Sequence, residues 1–166
     1  MSSNAVDRLL EAGFERVAAW QLAGDAIVIP DVLRRAPAVH AFVVDGEVRY
    51  IGSASQHLPR RMRQYAVPGK LSVAGRLNGF ILEELRLGHR VEVLAAFPEP
   101  GAWQGLPVDL VLGLEAGLIR EFRPAWNRRR QLLLRGGTRS LVAASTSRMS
   151  GLSIEPLSKT FGVSSG

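Results

Sequence analysis

Two short runs rich in β-branched and aromatic residues, at positions 38–44 and 47–51, flank an Asp45-Gly46 dipeptide. Asp-Gly between two such runs is a strong hairpin signal, because both residues of the tight turn take positive φ. The pattern therefore predicts a central β-hairpin.

Apolar residues recur at helical spacing after this hairpin. They predict two helices, the first with Pro59 in its first turn and the second ending at Gly88. The positions that carry the two patterns are Leu58, Met62 and Tyr65, followed by Leu77, Ile81 and Leu85.

A third strand and a third long helix complete the pattern. Residues 90–96 alternate as a strand does, and residues 107–122 have apolar residues at helical spacing. Upstream, residues 5–12 predict a short helix and residues 14–30 predict two strands. We therefore expect an α+β fold: a small three-stranded antiparallel sheet flanked by helices, with an N-terminal helix and hairpin as an extension.

The length of 166 residues suits one domain with a real hydrophobic core. We expect this domain to span residues 1–136, with its core at about 36–130 and the extension at 1–35. Serine and glycine dominate residues 137–166 without sustained periodicity, so this segment is predicted to be a flexible tail.

Absent residue types narrow the chemistry. Cysteine is missing, which excludes disulfides, zinc ribbons and thiol nucleophiles. The scattered His40, His57 and His89 offer no spaced pair for zinc, so any metal should be a hard cation. No apolar run approaches the length of a membrane span and the first residues lack the order of a signal peptide, so we expect a cytoplasmic protein with no membrane partner.

The net charge of +6 is unevenly distributed. Residues 120–139 carry seven arginines and one acid, and residues 56–76 carry five cations and no acid. An acidic remainder with two basic segments suits a polyanion docked on one face, and arginine binds phosphate oxygens bidentately. A merely solvated basic surface is the alternative.

One carboxylate stands out on the helix predicted at residues 107–122. At about 100° per residue, the apolar side chains fill one broad arc, and Glu115 falls inside it. A carboxylate there must be paired with an arginine, protonated or bound to a metal, because an unpaired buried charge is costly. The pattern leaves all three states open.

The same geometry distinguishes three neighbouring arginines. Arg61 borders the packed face of its helix, and Tyr65 follows one turn later on the same side. From this position Arg61 can meet Glu115 or a phosphate. Arg60 and Arg63 point to the far side, so we expect them to face solvent or a nucleic-acid backbone.

In this order and spacing, the residues resemble the GIY-YIG nuclease family. That family has a Gly-Ile-Tyr strand, a Tyr-Ile-Gly strand, an arginine in the next helix, a glutamate helix and a later asparagine. The match covers about residues 38–128. The residues that carry it are Tyr50-Ile51-Gly52, Arg61 with Tyr65 four positions later, Glu115 and Asn127.

The first motif departs from the family, because residues 38–40 read Ala-Val-His. Family members are described as using a motif tyrosine to activate water, and histidine can do so near neutral pH. Loss of activity is the alternative. A functional His40 must share a face with Tyr50, so we expect a bulged turn that pairs Val43 with Glu47 and His40 with Tyr50, or another bulge with the same result.

The resemblance implies hydrolysis of DNA phosphodiester bonds with one Mg²⁺ or Mn²⁺. Glu115 would hold the metal, and Arg61 would neutralise charge in the transition state. Tyr50, assisted by His40, would position or deprotonate the attacking water, and Asn127 would orient a phosphate or the glutamate. The residues expected to contact nucleic acid are Tyr65, Arg76, Arg128, Arg129 and Arg130.

Two other functions fit the same residues. One is a catalytically inactive nucleic-acid-binding module of the same fold. The other is a basic protein-interaction adaptor in which Glu115 forms a core ion pair. Because the sequence contains no separate DNA-reading domain, any sequence preference would come from loops, the N-terminal extension or a homodimer.

Overall fold

A computed structural model describes residues 4–29, 32–69 and 72–128. The predicted tail, with Arg129 and Arg130, lies outside the described residues. In chain order the elements are α1 (Ala5–Glu11), β1 (Glu15–Ala19), β2 (Gln21–Ala23), β3 (Ala26–Val28), β4 (Ala38–Val44), β5 (Glu47–Ala54), α2 (Leu58–Ala66), α3 (Val73–Arg86), β6 (Val91–Ala96), β7 (Gly101–Trp103), β8 (Leu106–Val108), α4 (Leu110–Phe122) and a 3₁₀ turn (Ala125–Asn127). Among the described residues, no helix combines the length and apolar character that crossing a membrane requires.

The central sheet is antiparallel, with the strand order β1–β6–β4–β5. The three predicted strands are β5, β4 and β6, so the α+β class with an antiparallel sheet is confirmed. The predicted strand number was one too small, because β1 pairs with the outer edge of β6. This pairing satisfies backbone groups that an edge strand otherwise leaves open. Only β2 and β3 form a separate N-terminal hairpin.

Helices cover both faces of this sheet. Helices α2 and α3 pack on one face and α1 and α4 on the other, and we call these the α2–α3 face and the α1–α4 face. Strand β4 is buried along its whole length because it has neighbouring strands on both edges and helices on both faces. Strand β5 is an edge strand of the sheet.

The hairpin register differs from the predicted one. Asp45 and Gly46 form a two-residue turn with φ of 46° and 84°, and Val44 pairs with Glu47. The bulge lies further along, at Arg49, so that Phe42 faces Tyr50. This bulge shifts the alternation of side chains along β5 by one residue. As a result, Val48 is buried on the α1–α4 face and Tyr50 on the α2–α3 face.

This different bulge still puts His40 and Tyr50 on one face, as predicted. His40 lies two residues before Phe42, which pairs with Tyr50, so the three side chains point the same way. The expected direct pairing of His40 with Tyr50 is wrong, since His40 pairs with Gly52.

The structure also corrects the start of the last helix. Residues 107–108 belong to β8, and α4 begins only at Leu110, where the Asp109 side chain accepts a hydrogen bond from the Leu112 amide at 2.9 Å. The preceding β7–β8 hairpin was not predicted. Its turn is Gln104-Gly105, with φ of 48° and 84°, a weaker turn signal than Asp-Gly.

Candidate active site

The Tyr65 hydroxyl is the centre of a hydrogen-bonded group. Arg61 Nε donates to it at 2.9 Å, and it donates to the Tyr50 hydroxyl at 3.4 Å. His40 Nε2 lies 3.1 Å from the same oxygen. Two strands and helix α2 thus bring four predicted site residues together on the α2–α3 face.

His40 is completely buried in this group. Burial, together with the nearby Arg61 guanidinium, lowers the pKa of His40 to about 3. The imidazole is therefore neutral near pH 7. Its Nδ1 is buried and has no hydrogen-bond partner within the described part of the chain.

Counting donors and acceptors favours one tautomer of His40. The Tyr65 hydroxyl has one proton and two lone pairs. If the proton goes to Tyr50, both lone pairs accept, one from Arg61 and one from a proton on His40 Nε2. Nδ1 then carries an unmatched lone pair, which is less unusual in a protein interior than an unmatched N–H.

The charge states of Arg61 and Tyr65 are also well defined. Partial burial lowers the pKa of Arg61, but the two neighbouring tyrosines outweigh it and raise the pKa above its usual value. Burial, reinforced by Tyr50, raises the pKa of Tyr65 well above its usual value. The site therefore holds a cation beside a neutral phenol.

Gly52 leaves room for the ring of Tyr50. A Cβ atom at Gly52 would lie 2.7 Å from Cε1 and 2.8 Å from the hydroxyl oxygen of Tyr50. Real Cβ atoms do not make such contacts, so a side chain at this position would displace the ring. This close approach is a physical reason for glycine in Tyr50-Ile51-Gly52.

Asn127 attaches the 3₁₀ turn to the open edge of β5. Its Oδ1 accepts from the Ile51 amide at 2.8 Å, and its Nδ2 donates to the Ile51 carbonyl at 2.7 Å. Arg76 supports the same turn by donating to the Trp126 carbonyl at 3.1 Å. From the sequence we expected Asn127 to orient a phosphate or Glu115. In the structure its amide group holds the backbone beside Tyr50.

Glu115 lies on α4, which packs against β4 and β5 from the α1–α4 face. The carboxylate is half-buried, and it forms no ion pair or hydrogen bond with any other described residue. The core ion pair considered from the sequence is therefore not found among the described residues. Three of the leucines that share its predicted arc, Leu110, Leu112 and Leu114, are exposed.

A basic groove lies beside the tyrosine group. Arg61 borders a pocket of about 290 Å³, and a second pocket continues it across α2. Arg35 and Arg63 line the second pocket, and Arg60 lines both, while no acidic residue lines either. We define the basic groove by Arg35, Arg60, Arg61 and Arg63. Arg35 was missed from sequence because it lies outside both arginine-rich segments.

The other residues expected to contact nucleic acid have different positions. Tyr65 is completely buried, so its ring has no surface to offer a nucleic acid and the expected direct contact does not fit. Arg76 is half-buried and engaged with the 3₁₀ turn. Arg128 is exposed, while Arg129 and Arg130 are not described.

Within the described residues, no three histidine, cysteine, aspartate or glutamate side chains cluster as metal ligands. A single carboxylate remains a suitable ligand for a hard cation that keeps most of its waters. Glu115 fits this arrangement, because no other described residue occupies its oxygens.

Solved nuclease structures are similar to this chain. A mutant of EndoII from bacteriophage T4 matches with a TM-score of 0.61 and 21% identity, covering 76% of this chain and all of that one. The restriction endonuclease HPY188I with product DNA matches with a TM-score of 0.46 and 18% identity, over 72% and 79% of the two chains. A point mutant of the GIY-YIG N-terminal endonuclease domain of UvrC from Thermotoga maritima, bound to its catalytic divalent cation, matches with a TM-score of 0.43 and 25% identity, over 60% and 90%.

No protein-family model matches the sequence, and no curated protein matches it. The similarity of this chain to known proteins therefore rests on the structure. The order of strands and helices, with the similarity to the phage enzyme, identifies the fold as GIY-YIG-like. The predicted resemblance is confirmed at this level.

Proposed function

We propose that this protein is an endonuclease that hydrolyses DNA phosphodiester bonds and requires Mg²⁺ or Mn²⁺. The observation that carries this proposal is the hydrogen-bonded group of Arg61, Tyr65 and Tyr50 beside the basic groove. A fixed guanidinium, a phenol and a phosphate-binding surface suit cleavage of a polyanion. The nuclease fold of the phage enzyme agrees with this chemistry.

Arg61 is proposed to stabilise charge on the phosphate oxygens in the transition state. Its raised pKa keeps it charged, and Tyr65 and Gln64 hold the guanidinium through hydrogen bonds at 2.9 and 3.0 Å. A donor already oriented in this way pays no reorganisation cost during the reaction. Loss of such a contact typically lowers the rate by about 10² to 10³.

Tyr50 is proposed to orient the attacking water. Because Tyr65 donates its proton to Tyr50, the Tyr50 proton is free to point away from the buried group. His40 is too deeply buried to reach the water itself. We assign it a positioning role, in which its Nε2 proton directs the Tyr65 hydroxyl toward Tyr50.

Glu115 is proposed to hold the divalent cation. When bound, the cation would polarise a phosphate oxygen and lower the pKa of a coordinated water. In the hydrolysis itself the water oxygen forms a bond to phosphorus, the bond from phosphorus to the sugar oxygen breaks, and the proton given up by the water is balanced by one that the sugar oxygen takes up from solvent.

The DNA backbone is proposed to follow the basic groove. Arg35 and Arg63 form no ion pair with any described residue, so their guanidinium groups are available to phosphates. Such contacts position DNA without reading its sequence. Arg128, Arg129 and Arg130 remain candidates for further backbone contacts.

The experiment that tests this function is cleavage of plasmid and short duplex DNA with Mg²⁺, Mn²⁺ or EDTA. Wild type should cut with either metal and not with EDTA. Glu115→Ala should abolish cleavage while DNA binding, measured by fluorescence anisotropy, persists. Glu83→Ala is the matched control, because Glu83 is an exposed helical carboxylate on α3.

Cleavage by Glu115→Ala at the wild-type rate would exclude the proposed metal ligand. Wild-type binding without cleavage under any metal condition would instead favour the inactive DNA-binding module. Absence of both binding and cleavage would favour the protein-interaction adaptor.

A further inference from the structure

We propose that α4 and the β7–β8 hairpin form a self-association surface that pairs with the same surface of a second copy. This inference goes beyond the proposed nuclease function. It rests on apolar side chains that the described fold leaves uncovered and on the arrangement of charge around them.

The surface is unusually apolar for an exposed region. Trp103 is 63% exposed and Leu106 is 62% exposed. Val108, Leu110 and Leu114 are exposed as well. We call these five residues the apolar surface. Contiguous exposed groups of this kind mark interaction sites more often than free solvent-facing surface.

Strand pairing shows that the hairpin side chains are contiguous with α4. Gly101 pairs with Val108 and Trp103 pairs with Leu106, so these four residues share one face of the hairpin. A Cβ atom at Gly101 would lie 2.8 Å from Leu110 Cγ, so α4 packs against that same face. The apolar side chains of the hairpin and of α4 therefore form one surface.

The adjoining side of α4 is open for close approach. Gly113 and Gly117 lie one turn apart, and a Cβ atom at either would meet nothing within 4 Å among its surroundings. At about 100° per residue they fall in one arc with Leu110 and Leu114, and this arc lies beside the residues of α4 that pack on the sheet. A second helix can approach this side without removing any existing contact.

An acidic and a basic residue border this side of α4, and they can pair with the same two residues of a second copy. Asp109 is the N-cap of α4 and Arg120 lies in its last turn, and at about 100° per residue their Cα atoms lie within roughly 20° of each other around the helix. Both are exposed, and neither forms an ion pair with a described residue. Two antiparallel copies of α4 would place each Asp109 near Arg120 of the other copy.

The same twofold arrangement brings the middle of α4 against the middle of α4 in the second copy. An antiparallel pairing centred between Asp109 and Arg120 brings Gly113 opposite Ala116 of the second copy, next to Gly117, and a surface that meets itself in this way closes as a dimer. Together the five apolar side chains expose on the order of 500 Å², somewhat less than the ~800 Å² per partner of a standard interface. We therefore expect a reversible dimer whose population depends on concentration.

Sedimentation velocity of the full chain over a wide concentration range tests the proposal. Wild type should shift from monomer to dimer as concentration rises, and Leu114→Glu should remain monomeric. Leu87→Glu is the matched control: Leu87 is also an exposed leucine but lies at the end of α3, away from α4, so dimerisation of this variant should equal wild type.

Charge-reversal variants test whether the two copies of α4 are antiparallel. Arg120→Glu should weaken the dimer by placing like charges together at two points. Adding Asp109→Asn should restore much of the association, because asparagine removes the repulsion and still caps the helix. Far-ultraviolet circular dichroism would verify that each variant is folded.

A wild type that stays monomeric at every concentration would overturn the proposal. So would equal effects of Leu87→Glu and Leu114→Glu, or an Arg120→Glu variant that dimerises normally. DNA cleavage is not a readout here, so these outcomes are independent of the Glu115 experiment.

Discussion

His40 illustrates how position changes the chemistry of a residue. In water, histidine titrates near neutral pH and suits acid–base catalysis. Here complete burial, with Arg61 nearby, lowers the pKa of His40 to about 3. The residue then acts as a neutral hydrogen-bond partner of Tyr65.

This shift predicts a specific dependence of stability on pH. Between about pH 6.5 and about pH 3, the unfolded chain protonates His40 and the folded chain does not. His40 should therefore make the free energy of unfolding fall by about 1.4 kcal/mol for each pH unit lost in this window. Urea denaturation at several pH values should show a shallower dependence for His40→Leu.

His89 provides a control of opposite sign. A hydrogen bond to Glu84 raises the pKa of His89, with Asp45 adding to the shift. Its stabilising contribution is therefore present below the unfolded pKa and lost as pH rises through the folded pKa. His89→Ala should cost more stability at mildly acidic than at alkaline pH.

Equal pH profiles for wild type and His40→Leu would show that His40 is not held neutral.

At the scale of elements, the open edge of β5 is completed by a side chain. An unpaired edge strand leaves backbone donors and acceptors without partners. Asn127 supplies one acceptor and one donor to Ile51, so it imitates a short neighbouring strand. The stacking of Phe80 on Trp126, at 5.4 Å between ring centroids, fixes the same turn against α3.

Loss of this attachment should affect both stability and activity. Asn127→Ala should lower the free energy of unfolding by about 1–3 kcal/mol, because it leaves two partly buried backbone groups unmatched. Asn127→Asp should also be destabilising, since a carboxylate oxygen would face the Ile51 carbonyl. Urea denaturation measures both, and cleavage should fall with them because β5 carries Tyr50.

Gln21→Ala is a suitable control, since Gln21 is exposed on the separate β2–β3 hairpin. It should change stability by no more than about 0.5 kcal/mol. If Asn127→Ala behaved like this control, the bidentate contact with Ile51 would contribute nothing to the site.

At the scale of the whole molecule, charge is separated by position. The basic groove has no acidic residue along it, while several other arginines are paired with acids. Those pairs include Arg8 with Glu121 and Arg86 with Asp25. A groove lined by arginines without neighbouring acids attracts a polyanion to the surface that contains Arg61.

Salt dependence of DNA binding should therefore map the groove. Replacing Arg35, Arg60 and Arg63 together by glutamine should reduce the slope of log affinity against log salt by up to about 2.7, the value for three lost phosphate contacts. Fluorescence anisotropy with a short duplex measures this slope. Arg86→Gln, which removes an arginine already paired with Asp25, should leave it unchanged.

The corresponding replacement of Arg128, Arg129 and Arg130 would show whether the chain beyond the 3₁₀ turn also binds DNA. An unchanged slope in the groove variant would mean that Arg35, Arg60 and Arg63 only face solvent.

Local features of the fold could be inferred from sequence because their causes are local. Asp45-Gly46 permits positive φ at both turn positions, and apolar spacing determines which side of α2 is buried. The same spacing correctly placed Arg61 beside Tyr65. These properties depend on residues a few positions apart.

Long-range features were decided by packing between distant segments. The Arg49 bulge, the addition of β1 to β6, and the contact of Asn127 with Ile51 depend on which surfaces remain unpaired after the sheet forms. Packing also decided the partial burial of Glu115, because α4 buries only part of its apolar arc. Periodicity identifies a buried side of an element, but only the assembled molecule determines what covers it.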